Sequence, residues 1–534
     1  MRRRTRAACW AAVVTVLIAC TGCTGGGEGD DGDASPGPGE RGPARTLRVL
    51  ASSELSDMKP VLDAAREATG ITVRPTYVGT LDGAELISSG KADGAYDAVW
   101  LSSNDYLRLD PAVGSKISSE TQVMTSPVAL GVKAATVSRL GWNPSTVTWS
   151  QVHRAVADGK LTYGMTDPVR SNSGFSALVS VASGLSGAQA ALTEGQINEA
   201  TPRLREFFAG QELTSGSSGW LASAYKRRGT VDAMVNYESV LLSLNRDEGG
   251  DAGSRLTVIR PKDGVVTADY PFTLLTSADD EAREAGRDLT EYLRGPEAQQ
   301  AITTLTLRRP VVTSVKPAEG IGREGRRELP FPGSRSVADG LLDAYENKLR
   351  RPSRTVYVLD TSGSMKGSRL ARLKSALGEL TGDFREREEV TLMPFGSAVK
   401  QIRTRTVDPG DPSAAVAALD SDIAALSAQG DTAIYSSLKE AYEVIGAPRN
   451  SDPSFTSIVL MTDGENTAGD AAAGFDSFYR ALPAGQRRTP VFPILFGDSD
   501  RRELTDIATL TGGRLFDANK GSLDGAFEEI RGYQ

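Results

Sequence analysis

The run Val356-Tyr357-Val358-Leu359 ends in Asp360-Thr361-Ser362-Gly363-Ser364-Met365. A short continuous apolar run closed by a Gly-containing turn is the pattern of a strand buried on both faces. Such strands belong to α/β sheets, which gather their ligands in loops at the strands' carboxyl ends. Here that loop holds three hard oxygen donors, Asp360, Ser362 and Ser364. Carboxylate and hydroxyl oxygens suit a small cation such as Mg2+, which takes near-octahedral oxygen geometry. Alone, the stretch is equally compatible with a nucleophile, a phosphate acceptor or a turn held by its own side-chain hydrogen bonds.

The chain around this run alternates between the two hydrophobic periods. Downstream, the pattern predicts helices over 370–384, 412–426, 433–445, 475–482, 502–511 and 523–531. Strands are predicted over 389–393, 402–407, 457–462 and 491–496, with a short edge strand at 514–516. Upstream, strands at 46–50, 72–77 and 98–101 are separated by helices at 59–69 and 83–89. The alternation continues through 125–133, 149–158, 161–164, 174–185 and 239–244. A long amphipathic helix follows at 281–294, with Ala282, Ala285, Leu289 and Leu293 on one face. Strands alternating with helices argue for largely parallel sheets. Between the two halves, 313–335 holds Pro317, Gly320, Gly322, Gly325, Pro330, Pro332 and Gly333 among charges, a linker signature. A helix over 336–348 leads into the strand that ends at Asp360, which puts the domain boundary near residue 330.

Composition narrows the function classes. Among 534 residues, 39% are hydrophobic and 24% charged, as in an ordinary soluble protein, and the net charge of -8 offers no basic face for nucleic acid. The strong basic run is Met1-Arg2-Arg3-Arg4-Thr5-Arg6, followed by an apolar stretch to Ala19. Positive then apolar is the order of a secretion signal, and the stretch is short for a bilayer span. All three Cys residues, Cys9, Cys20 and Cys23, fall here, so the body carries no disulfide staple and rests on its cores. Leu17-Ile18-Ala19-Cys20 resembles a bacterial lipobox, with Cys20 as the lipidated residue and Cys23 as the alternative. That resemblance implies a lipoprotein, palmitate-type acylation and a membrane anchor at the front of the chain. Residues 24–45, rich in Gly, Asp, Glu, Ser and Pro, read as a disordered tether.

Two further segments deliver oxygen donors where the sheet would need them. Thr432 opens a helix in Gln429-Gly430-Asp431-Thr432, and Asp463-Gly464 follows the apolar run Ile458-Val459-Leu460-Met461. The ordered set Asp360, Ser362, Ser364, Thr432 and Asp463 resembles the metal-ion-dependent adhesion site (MIDAS) of the von Willebrand factor type A (VWA) domain family, over residues 350–534. The resemblance implies hydroxyls of Ser362, Ser364 and Thr432 on a divalent cation, Mg2+ or else Mn2+ or Ca2+. Asp360 and Asp463 would act largely through waters, and one coordination position would stay open for a partner's carboxylate. Thr361, Asp431 and Glu465 are neighbours rather than ligands in this reading. Catalytic alternatives fit the residues poorly. The sequence Gly363-Ser364-Met365-Lys366-Gly367 lacks the spacing of a nucleophile elbow. The one histidine, His153, lies in the other half, which argues against a Ser-His-Asp triad. A phosphoryl-accepting aspartate would want a second Asp at Ser362, and an aspartic protease would want Asp-Thr-Gly.

Residues 46–315 resemble bacterial extracellular solute-binding proteins of the two-lobed class. The resemblance rests on Ser52-Ser53, Trp100-Leu101-Ser102-Ser103-Asn104, Thr166-Asp167-Pro168-Val169-Arg170-Ser171-Asn172-Ser173-Gly174 and Val235-Asn236-Tyr237-Glu238. Hydroxyls beside a helix amino end make a polar or anion site, or else simply cap the helix. The cleft residues expected on this reading are Ser52, Ser53, Ser102, Ser103, Ser171, Ser173, Asn236 and Tyr237.

The fold expected is α/β, with a two-lobed periplasmic-binding-protein-like (type II) domain followed by a Rossmann-like VWA domain whose central sheet is mainly parallel. The segments expected are a lipoprotein signal and lipobox at 1–23, a tether at 24–45, the solute-binding-like domain at 46–315, linker and leading helix at 316–349 and the VWA domain at 350–534. The expected role is a non-enzymatic, lipid-anchored binding protein on the extracytoplasmic face of the cell membrane. It would dock a protein partner through the cation and take a small molecule or second partner in the cleft, without nucleic acid. The alternative is the solute receptor of an ABC-type importer with an accessory VWA domain.

Overall fold

The structure, a computed structural model, describes residues 45–247, 255–322, 327–381, 388–407, 412–446, 454–495, 497, 500–519 and 530. The secretion signal, Cys20, Cys23, all but the last residue of the tether and most of the helix expected at 523–531 lie outside the described residues.

The strand Ser353–Asp360 lies inside a six-stranded sheet. Its order is Arg403–Thr406, Glu389–Phe395, Ser353–Asp360, Phe455–Thr462, Val491–Leu495 and Phe516–Asp517. Every pairing is parallel except that of the edge strand Arg403–Thr406. Alternate side chains feed two cores. Tyr357, Leu359, Val459 and Met461 face one layer of helices, whereas Val356, Val358, Ile458 and Leu460 face the other. This two-sided burial explains why the strands read as unbroken apolar runs. Each aliphatic side chain so enclosed contributes about 1.5–3 kcal/mol. The helix after the strand is Ser368–Thr381; the remainder of the 370–384 pattern lies outside the described residues.

The amino-terminal portion is two lobes. The first has a sheet ordered Ile71–Val78, Arg45–Ser52, Ala98–Trp100, Pro271–Leu275 and Ile117–Gln122. The second is built on the long strand Met124–Lys133, followed in order by Ala233–Tyr237, Tyr163–Thr166 and Gln211–Ser215. The chain enters the second lobe between Gln122 and Met124 and returns between Ala268 and Pro271. Tyr270, in that return, has φ 42°, a conformation that side-chain-bearing residues rarely take. Apolar packing is continuous across both lobes and reaches the linker through Leu341 and Tyr345.

The stretch expected as linker and leading helix is ordered helix in its later part. Arg335–Ala344 is α-helical and Tyr345–Leu349 forms one π-helical turn. The third sheet abuts the second lobe at its strands' amino ends. There Arg488 pairs with Glu212 at 3.3 Å, and the Arg514 guanidinium lies 3.4 Å from the Trp220 ring centroid.

Candidate metal centre and interlobe cleft

At the carboxyl end of Ser353–Asp360 the strand stops in a loop whose polar groups bond to one another. Asp360 Oδ1 accepts from the Ser362 amide at 2.8 Å, and Asp360 Oδ2 accepts from Thr462 Oγ1 at 2.7 Å. The Ser362 and Ser364 hydroxyls lie 2.9 Å apart, and Ser364 Oγ donates to Asp463 Oδ1 at 2.8 Å. Asp360, Ser362, Ser364 and Asp463 are thereby one hydrogen-bonded group, although Asp360 and Asp463 are 103 positions apart in the chain. Thr432 joins from a third loop, its Oγ1 3.7 Å from where a Cβ on Gly464 would stand.

Glycines let these loops meet. Gly430 has φ +89°, and its carbonyl accepts from the Gly363 amide at 2.8 Å. A Cβ on Gly396 would stand 2.5 Å from the Gln429 carbonyl, so a side chain there would push the Thr432 loop away.

Burial raises the Asp360 carboxyl above its ordinary range; hydrogen bonds from Thr462 and Ser362 oppose the shift, and nearby Asp463 adds to it. Cations bracket the pair. Arg369 Nη1 donates to Asp463 Oδ2 at 2.6 Å, while Lys400 Nζ donates to the Thr361 carbonyl at 2.6 Å. Burial lowers the Lys400 ammonium, against the pull of Asp360. Among the described residues no three His, Cys, Asp or Glu side chains gather in metal-ligating range. A cation at this end of the sheet would therefore draw on hydroxyls as well as carboxylates. Two buried carboxylates and three hydroxyls, all hard donors, fit Mg2+ chemistry. Thr462 and Arg369 were missed by sequence reasoning. Thr462 is signalled by its place, a hydroxyl closing an apolar run; Arg369 has no local signal.

The cleft serines fall into one group on each lobe, with Ser102 and Tyr237 in hydrogen-bond contact between them. In the first lobe, Ser52 and Thr80 hydroxyls lie 2.8 Å apart, Thr80 and Ser102 lie 2.9 Å apart, and the Ser102 amide donates to Ser52 Oγ. Ser103 Oγ accepts from the Asp105 amide, a local turn bond. In the second, Ser173 lies 2.7 Å from Thr166, 3.0 Å from Ser171 and 2.7 Å from Ser218. Ser171 precedes the helix Asn172–Ser186 but its side chain makes no cap bond. Asn236 donates to the Ser218 carbonyl, and the Tyr237 hydroxyl accepts from Asn172 Nδ2 at 3.0 Å. Most of these hydroxyls satisfy one another.

Beside them a cavity of about 490 Å³ opens between the lobes, and of the eight expected cleft residues it is lined by Ser53. Its character comes from Glu54, Asp57, Trp220, Lys226 and Arg308, which sequence reasoning did not single out. Arg308, 1% exposed, donates through Nη1 to both Asp57 oxygens at 2.8 and 2.7 Å and lies 4.8 Å from the Tyr270 ring centroid. Burial raises the Glu54 carboxyl, which the Arg308 charge opposes. His153 sits on the helix Trp149–Ala157, its Nε2 2.9 Å from Glu206 Oε2, apart from either site.

Comparison with known proteins places families on these two regions. Residues 47–304 match the bacterial extracellular solute-binding protein family, and residues 355–465 match the von Willebrand factor type A domain. Inter-alpha-trypsin inhibitor heavy chain H1 of Sus scrofa is 29% identical over 130 residues, 24% of this chain and 14% of that protein. Heavy chain H4 of Homo sapiens is 29% identical over 145 residues, 26% of this chain and 15% of that protein. The chain thus spans about one seventh of the length of these curated relatives. Among solved structures, the periplasmic binding protein AfuA of Actinobacillus pleuropneumoniae aligns at 13% identity and TM-score 0.44, over 57% of this chain and 98% of that one. The ferric binding protein of Campylobacter jejuni aligns at 15% identity and TM-score 0.44, over 56% and 98%. No described helix is long and apolar enough to cross a membrane. The chain thus carries a solute-binding domain over residues 47–304 and, beyond the helix Arg335–Ala344, a von Willebrand factor type A domain over residues 355–465.

Proposed function

We propose that this chain is a lipid-anchored, extracytoplasmic binding protein whose VWA domain docks an acidic side chain of a protein partner through a divalent cation. The observation that supports this reading is the convergence of Asp360, Ser362, Ser364, Thr432 and Asp463 from three loops at one sheet end. Ser362, Ser364 and Thr432 would hold the ion, with Asp360 and Asp463 orienting the shell. A bound Mg2+ would supply an electrophilic position that a carboxylate can complete. The role is binding rather than catalysis: the hydroxyls lack a neighbouring histidine, and Asp463 is held by Arg369.

The test is capture of surface proteins by the full chain with Mg2+ and with EDTA. Capture should vanish with EDTA and in Asp360→Ala and Asp463→Ala. Capture that persists without metal overturns the mechanism.

A second reading, the receptor of an importer with an accessory VWA domain, is favoured by the interlobe cavity of about 490 Å³. It predicts that a solute panel includes a compound raising the melting temperature of the solute-binding domain, and that permease capture is indifferent to EDTA.

A further inference from the structure

The segment joining the two domains touches both lobes of the solute-binding domain. Its entry is fastened to the second lobe: the Val265 amide donates to the Arg327 carbonyl at 3.0 Å and the Leu329 amide to the Val265 carbonyl at 2.8 Å. Glu328 accepts from the Thr267 amide and hydroxyl, both at 2.7 Å. Leu329 presses so closely on Gly264 that a Cβ there would stand 2.6 Å from its Cγ. Phe331 meets Phe175 edge-on at 5.2 Å. The exit is fastened to the same lobe, where Tyr345 packs on Phe208 at 5.1 Å and its hydroxyl donates to Gln211 Oε1 at 3.2 Å.

Between these anchors the segment reaches the first lobe. Asp339 Oδ1 accepts from the Tyr106 hydroxyl at 2.7 Å and from Arg335 Nε at 3.0 Å. The Arg335 guanidinium lies 4.0 Å from the centroid of the Tyr106 ring. Tyr106 belongs to the helical turn Asp105–Arg108 that follows the first-lobe strand Ala98–Trp100, and it is 8% exposed. Its ring also meets second-lobe Phe175 at 5.6 Å. Burial first, then the bond to Asp339, raise the phenol above its ordinary value, so it remains a proton donor. The lobes touch here directly as well: a Cβ on first-lobe Gly79 would stand 2.7 Å from the second-lobe Arg170 carbonyl.

We propose that residues 327–349 form a strap that latches the two lobes together, so that opening the cleft and releasing Tyr106 are one event. The strap is bound to the second lobe on both sides of Asp339, so it moves with that lobe. Tyr106 moves with the first. Separating the lobes therefore breaks the Tyr106–Asp339–Arg335 clasp before it strains either anchor. The same segment continues into the strand Ser353–Asp360, so the root of the VWA sheet is tied to the second lobe rather than to the first. The proposal rests on contacts among lobes and linker, and stands whether or not a cation or solute binds.

Hydrogen–deuterium exchange on the full chain tests it, comparing the parent with Tyr106→Phe and Asp339→Ala. Tyr106→Phe keeps the ring against Phe175 and removes only the hydroxyl, which guards against a variant that fails to fold. Peptides covering the facing surfaces, 78–82 and 168–176, should exchange about tenfold faster in both variants, the scale of one charge-assisted hydrogen bond. The core strands at 47–51 and 128–132 should be unchanged. Faster exchange confined to 335–349, with the facing surfaces still protected, would show that the strap frays without the lobes parting and would overturn the proposal. Uniform acceleration in Tyr106→Phe, core strands included, would assign the clasp to stability alone and overturn it too.

Discussion

The candidate metal centre and the interlobe cleft are both polar sites at the carboxyl ends of strands, yet they are built differently. At the metal centre, Asp360, Ser362, Ser364 and Asp463 from two loops lie within one hydrogen-bonded group with Thr432 of a third loop close by, and three of these residues are spaced two apart in one turn. In the cleft, the serines at strand ends are spent on each other, while the open space is walled by side chains from helices and by Arg308, which follows the helix Pro296–Thr306. A site written into a turn survives as a local pattern. A site made by bringing two lobes together is defined by what remains after the hydroxyls have found partners.

The difference gives a ranked set of tests. Asp360→Ala should have the largest effect, lowering Mg2+ affinity more than about 100-fold by titration calorimetry, since it removes a buried anchor of the loop. Interlobe exchange protection should be untouched; if it falls, the two sites are not independent. Asp57→Ala should come next. It strips the charge partner from buried Arg308 and should destabilise the solute-binding domain by about 2–3 kcal/mol in denaturant melts, leaving Mg2+ binding as in the parent.

The third test is pH. Burial is the main cause pushing the Asp269 carboxyl up to about 6, with Asp105 adding and Arg108 opposing. Its folded value therefore lies above its unfolded one, and the folded state holds the proton more tightly. This carboxyl's contribution is favourable below about pH 4 and is lost as pH rises to about 6. Asp269→Asn should match the parent at pH 4 and exceed it by about 1 kcal/mol above pH 6, a value reduced for partial exposure. The change should register in melts of the solute-binding domain alone. The smallest effect belongs to Arg369→Ala. Removing the guanidinium from Asp463 should tighten Mg2+ binding about threefold, because a like charge beside the cation is lost.

The sequence was most legible where burial is two-sided. The strands ending at Asp360 and at Thr462 are uninterrupted apolar runs, and hydroxyl or carboxylate residues just after them stand out. Capping logic worked less well: Ser171 was expected to serve the helix amino end, but its hydroxyl turns to Ser173 instead. The helix expected over 336–348 is present as Arg335–Ala344 with a π-helical turn after it, but the packing of the stretch before it was not legible. Pro and Gly at 317–333 mark bends correctly but say nothing about what packs on them. Leu329 and Phe331, apolar residues within that stretch, were the available hint that it is seated. Glu54, Asp57 and Arg308 carry no shared local pattern, because 251 positions separate the ion pair that joins two of them.

The position of Ser353–Asp360 also bears on mechanics. It is bonded in parallel register to a neighbour on each side, with Glu389–Phe395 and Phe455–Thr462 both running alongside it. Tension applied at its Asp360 end and resisted at the second lobe would run along the strand axis. Such a pull loads both ladders of hydrogen bonds in shear at once, rather than unzipping them singly. The sheet is thus oriented to bear traction along its central strand.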